Sequence, residues 1–256
     1  MGIKKKKIWI VALSAEIESL NLRYRSKYLA NLLNENGYDV TMFSSDFSHR
    51  KKAHVCYEVE KSYSFKVILV HESGYKKHVS LCRVKSHLEF AINFKKIAKK
   101  MEIPDLIYAK YPTMAASYVA GKFAKKHNIP FILDVQDNWP EAISAAININ
   151  KLHTKVLMYP FTLFANKIYK MADFIFGQSE TCVNRAKLKS SRSKGFVPIY
   201  LGSDLSTFND FNKKKLLINK KDNEIWLTYI GTLSHSYDVE TAIRALSSLR
   251  KVENLK

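Results

Sequence analysis

The chain has 256 residues, a formal net charge of +19 and 46% hydrophobic residues. That hydrophobic share supplies a packed core and excludes a generally disordered chain. The charge invites a nucleic-acid or anionic-membrane partner, but 34 of the 42 basic residues are Lys and 8 are Arg, whereas phosphate and base recognition favours the planar Arg fork, and a Lys-rich chain is also what AT-rich coding produces.

Strands and helices alternate from the start. Lys7 to Leu13 is an apolar run that predicts a strand. Leu22 to Leu33 has apolar residues at helical spacing, with Gly37 placed to stop the helix. Tyr38 to Phe43 and Phe65 to Val70 predict two further strands, and His87 to Lys100 a helix. Leu106 to Ala109 is the next strand, Ala115 to Lys126 a small-residue helix, and Phe131 to Val135 another strand after Pro130. A long helix is expected over Thr154 to Met171, bent at Pro160. Ala172 to Gly177 and Gly195 to Tyr200 are short strands, and Ser179 is placed to cap a helix between them.

Continuous apolar strands separated by helices imply a doubly wound parallel α/β sheet, Rossmann-like, covered on both faces. This first domain is expected to span 1–208. Residues 209–223 are Lys-rich and read as a linker. Residues 224–256 read as a strand (Ile225 to Ile230), a Gly231 turn and an amphipathic helix. That is the first β-α unit of a second Rossmann-like domain, which needs more chain or a partner to cover it.

Ligands of open parallel sheets bind beyond the carboxyl ends of the strands. No G-x-G-x-x-G follows the first strand, so a dinucleotide fingerprint is absent. The densest polar group lies after the strand ending at Val135: Asp134, Gln136, Asp137, Asn138, Trp139 and Glu141. A helix cap with one structural Trp is the other reading of that segment. Gly231, Thr232 and Ser234 form a turn ahead of a helix, where backbone N–H groups hold phosphate. The scattered Cys56, Cys82 and Cys182 read as free thiols, not a zinc or disulfide set. No apolar run reaches the length of a membrane span. The Lys95, Lys96, Lys99 and Lys100 face, with Phe94 and Ile97, is expected to rest on anionic lipid.

Four segments, in order, resemble glycosyltransferase family 4, retaining transferases of GT-B architecture. The first is Ile8-Trp9-Ile10-Val11 with Asn36-Gly37-Tyr38-Asp39-Val40-Thr41, similar to a "G-H-E-V-T" strand. Asp134 to Glu141 is similar to "D-V-x-D-L-W-P-E" of members that build O-antigen and capsule sugars. Ala172-Asp173 through Ser179-Glu180, then Val197 to Asp204, resembles "A-D-x-I-x-x-x-S-E" followed by "I-P-N-G-V-D". Tyr229 to Leu233, then Asp238 to Ile243, is similar to the opening of the nucleotide-sugar domain.

The chain departs from the pattern at Gln136, where many members have His. It departs again at Thr232 and Tyr237, where many have Arg and Lys. The glycine pair of the family's first loop and its E-x7-E motif are absent from this sequence. The resemblance implies transfer of a sugar from a nucleotide-diphospho-sugar to a lipid-linked or polysaccharide acceptor, in bacterial surface-glycan (lipopolysaccharide or capsule) synthesis. It implies no metal or other cofactor. Asp137 and Gln136 would be catalytic. Asp134, Asn138, Trp139 and Glu141 would line the acceptor cleft, and Gly231, Thr232 and Ser234 would bind donor phosphate. Nucleic acid is not an expected partner, a nucleic-acid-binding protein being the less favoured third reading, and the location implied is cytoplasmic, at the inner membrane face. The chain alone is expected to be an incomplete or inactive enzyme. The alternative is a non-catalytic truncated or split subunit that binds acceptor or a partner chain.

Overall fold

The computed structural model describes residues 5–15, 25–55, 63–77, 80–142, 152–202, 221–231, 233 and 238–249. Two compact units divide the chain: Met1–Ile143 with Ile149–Leu201, and Ser144–Asn148 with Gly202–Lys256.

In the first unit the apolar runs become strands β1 (Lys7–Val11), β2 (Asp39–Ser45), β5 (Lys66–Val70), β6 (Leu106–Tyr111), β7 (Phe131–Val135), β8 (Phe174–Gly177) and β9 (Gly195–Pro198). They form one parallel sheet in the order β5-β2-β1-β6-β7-β8-β9. Two short strands, β3 (Phe47–Ser48) and β4 (Ala53–His54), pair antiparallel as a separate hairpin. The helices between are α1 (Arg25–Glu35), α2 (Leu81–Ala98), α3 (Met114–His127), α4 (Leu152–Tyr169) and α5 (Glu180–Lys187). The doubly wound α/β reading holds. The order turns at β1: β2 and β5 extend to one side, and β6 to β9 to the other.

Strand period two explains the two cores. Ile8, Ile10 and Ala12 pack with Ala30 of α1 on one face. Trp9, Val11 and Leu13 face the other way, into Phe43, Phe90, Phe94 and Phe123. Trp9 is the hub, with ring centroids 5.2 Å from Phe43 and 5.4 Å from Phe123. Gly121 lets α3 approach closely, since a Cβ there would stand 3.0 Å from the Phe131 ring. Past the helix ends, Gly37 (φ 86°) and Asn128 (φ 54°) take the left-handed conformation that stops a helix. Ser179 caps α5 as expected, accepting from the Cys182 N–H at 3.3 Å.

Three expectations need correction. Helix α2 starts at Leu81, before the expected His87, because Ser80 caps it through the Arg83 N–H. Phe94 is fully buried in the core and offers nothing to a lipid surface, although Lys95, Lys96, Lys99 and Lys100 are exposed. In the second unit, Ile225 makes an isolated bridge and 226–230 form no strand. Helix α6 (Val239–Ser248) does form there, with no residue buried.

His87 gives the fold an acid sensitivity. Its ring lies edge-on to Tyr75 at 6.0 Å. Burial, then the charges of Arg83 and His49, lower its pKa from 6.5 to about 4. A base depressed in the fold resists protonation, so unfolding takes up a proton at intermediate pH. Its stability contribution is therefore complete above pH 6.5 and is lost as pH falls from 6.5 towards 4. The loss expected is about 2 kcal/mol at acid pH, at 1.36 kcal/mol per pK unit less solvent screening. Chemical denaturation across that window should show it, and His87→Gln should flatten that part of the profile.

Candidate active site

The strand order reverses between β1 and β6, and the carboxyl ends of strands at such a switch point are where open α/β sheets form their ligand crevice. Lys110, near the end of β6, reaches across it. Its Nζ lies 3.3 Å from the Ser14 carbonyl oxygen and 3.4 Å from Ser14 Oγ. Lys110 is also in register with Asp134 of the adjacent β7.

Asp134 is completely buried and is not a free ligand for substrate. Arg25, the first residue of α1, grips it with a fork: Nε to Oδ2 and Nη2 to Oδ1, both 2.9 Å. Arg25 Nη1 donates to the Ile199 carbonyl at 2.6 Å. Gln136 Nε2 donates to Asp134 Oδ2 at 2.9 Å. Burial opposes the Arg25 charge, but Asp134 outweighs it and raises the Arg25 pKa. The Tyr108 phenol is also raised, first by burial and then by the Asp134 charge. One buried ion pair thus ties the start of α1 to the ends of β7 and β9.

The segment after β7 fans out. Asp137 is exposed, and its carboxylate makes no hydrogen bond among the described residues. Its pKa is raised by partial burial, an effect that the Lys110 charge partly offsets. Asn138 Oδ1 is buried without a hydrogen-bond partner among the described residues. The Trp139 carbonyl accepts from the Tyr111 hydroxyl at 2.6 Å, and its ring packs partly buried on the main core. Glu141 Oε1 accepts from Arg185 Nε at 2.8 Å, and Arg185 also bonds Asn166 Oδ1 of α4 at 3.0 Å. Glu141 therefore points to α4 and α5, and not to the Asp134 cluster.

Of the six polar and aromatic positions expected in this segment, the structure leaves Asp137 exposed and without a hydrogen bond among the described residues, while the unpartnered Asn138 Oδ1 is buried. Gln136 is engaged with Asp134 beside them. Gly231 belongs to the second unit and is exposed. Thr232 and Ser234 lie outside the described residues. Sequence reading missed Arg25 and Lys110. Lys110 carried a signal, a cation inside the apolar run of β6. Arg25 carried none beyond being one of only 8 Arg.

No protein-family model and no curated protein matches the chain. Solved structures do. Anabaena Alr3699/HepE, in complex with UDP and glucose, superposes with TM-score 0.52 at 15% identity, over 95% of this chain and 58% of that one. Arabidopsis thaliana UGT89C1 complexed with UDP gives 0.51 at 12% identity, over 99% and 66%. A sucrose-phosphate synthase fragment from Thermosynechococcus elongatus gives 0.47 at 14% identity, over 81% and 98%. These neighbours are GT-B glycosyltransferases, and the likeness is one of fold. The chain spans about 60% of the length of the first two.

Chemically, the ends of β1, β6 and β7 offer a cation bonded to a hydroxyl, and an exposed carboxylate. Such a set suits a polyhydroxy ligand better than an apolar one.

Proposed function

We propose that the protein is a glycosyltransferase. It moves a sugar from a nucleotide-diphospho-sugar to a lipid-linked or polysaccharide acceptor in bacterial surface-glycan synthesis, with retention. The observation that carries this reading is the β1/β6 crevice. On a sheet shared with GT-B transferases, Lys110 bonds Ser14 there, and the exposed Asp137 carboxylate, with no hydrogen bond among the described residues, follows the end of the neighbouring β7.

In this reading Asp137, with Gln136 near it in the chain, contacts the sugar or the acceptor hydroxyl. Asn138 and Lys110 supply further polar contacts, and Trp139 backs the segment. Asp134 acts at one remove, by holding Arg25 and Gln136. Gly231, Thr232 and Ser234 bind the donor diphosphate through turn N–H groups. The acceptor oxygen forms its bond to the anomeric carbon on the face from which the diphosphate leaves. Its proton passes to the departing phosphate oxygen. Turn N–H groups stabilise the charge that develops there, and no metal is required. No helix among the described residues is long and apolar enough to cross a membrane. The exposed Lys95, Lys96, Lys99 and Lys100 would hold the protein to an anionic inner leaflet, at roughly 1 kcal/mol each.

The test is transfer of label from a panel of nucleotide sugars to a lipid-linked glycan by the whole protein, with the product's anomeric configuration read by NMR. A retained configuration is expected. An inverted product, or hydrolysis with no transfer, contradicts the proposal. A second reading is a non-catalytic chain that binds acceptor or a partner. It is supported by apolar side chains exposed in the second unit, among them Leu227, Leu233, Ile243 and Ile230, the last 92% exposed. Acceptor binding without turnover for any donor would favour it.

A further inference from the structure

A second group of chemically capable side chains lies on the far side of β1 from the crevice. Strands β2 and β5 are parallel neighbours with Ser45 opposite Val70. The residues that follow, Asp46 and His71, therefore leave the carboxyl edge side by side. The chain after Asp46 turns through the β3–β4 hairpin, where His54 pairs with Phe47. The Val55 N–H closes that turn onto the Asp46 carbonyl at 2.8 Å. Three residues distant in sequence are thus brought together by backbone pairing.

Asp46 Oδ2 lies 2.7 Å from His71 Nδ1, and Asp46 Oδ1 lies 3.3 Å from His54 Nδ1. The two imidazoles stack with centroids 5.3 Å apart. One ligand atom from each residue fits within 4.8 Å of the others, the only such set among the described residues. Asp46 is oriented from behind, since the Glu72 N–H donates to its Oδ1 at 3.2 Å.

We propose that Asp46, His54 and His71 form a binding site for a divalent transition metal, zinc above all, with a fourth position open to solvent. Tetrahedral zinc, with bonds of about 2.0–2.2 Å, holds its ligand atoms about 3.3 Å apart. The Asp46–His54 pair already has that separation. The Asp46–His71 pair needs a small opening, which His71 can make because its side chain is 69% exposed. Two imidazoles and one carboxylate favour zinc, cobalt or nickel over magnesium or calcium, which prefer all-oxygen sets. The ion would pin the hairpin to the sheet edge. The sugar transfer proposed above does not use it.

The experiment is equilibrium dialysis of the full 256-residue chain against Zn²⁺ with excess Mg²⁺ present, backed by the visible spectrum of the Co²⁺-loaded protein. The expected result is one saturable zinc equivalent and the intense absorption of tetrahedral cobalt. Both His54 and His71 are substantially exposed, so their variants should fold. His54→Ala and His71→Ala should each weaken zinc binding at least tenfold. The double variant should abolish it, and His127→Ala on α3 should not alter it. No saturable zinc binding by the chain, or undiminished binding by the His54→Ala/His71→Ala variant, would overturn the proposal.

Discussion

Arg25→Ala is expected to destabilise the first unit by about 3 to 5 kcal/mol, the range for removing one partner of a buried ion pair. The loss comes mainly from what is left behind. Asp134 is fully enclosed, and without the guanidinium its charge retains, among the described residues, the Gln136 amide and the Tyr108 hydroxyl. The Ile199 carbonyl also loses its donor. Arg25→Lys should recover part of the loss, because an ammonium replaces the charge but not the fork. Arg25→Met with Asp134→Leu should lie much closer to wild type than Arg25→Ala, since no buried charge then stands alone. Urea denaturation with an unchanged slope is the measurement. A midpoint shift worth less than about 1 kcal/mol for Arg25→Ala would mean that water reaches Asp134.

Asp137→Asn should lower turnover in the transferase assay about ten- to a hundredfold while leaving the melting temperature unchanged. A charge-assisted hydrogen bond contributes about 1.5 to 3 kcal/mol, and each 1.4 kcal/mol is a factor of ten in rate. The carboxylate is exposed and makes no hydrogen bond among the described residues, so the fold gains little from it. The helix-cap alternative makes the opposite forecast, because Asn and Asp cap equally well. Near-normal turnover would remove Asp137 from the site.

The sheet was legible because each of its strands is an apolar run set off by helices or turns. The places where reading failed have physical causes. The first turns of α2 present Leu81 and Val84 to solvent, so apolar spacing there marks no buried face. Strands β3 and β4 are two residues each, too short for an alternation to register. Residues 225–230 have the composition of a strand, but a strand also needs neighbours, and only Ile225 finds a bridge among the described residues. At the site, clustering in sequence located the right segment and could not divide it. Asp134 turns inward to Arg25, 109 positions away, and Glu141 turns to Arg185, 44 positions away. What remains open, Asp137, is set by partners that no local pattern reveals.

The central claim is that the end of β7 and the β1/β6 crevice receive a glycan. Photoaffinity labelling of the full 256-residue chain with a diazirine-bearing lipid-linked sugar tests it most directly, with adducts mapped by mass spectrometry. The account predicts adducts on 136–139 and at Lys110, displaced by unlabelled acceptor and diminished in Asp137→Asn. Adducts confined to other surfaces, or labelling of the crevice that excess acceptor does not displace, would contradict it.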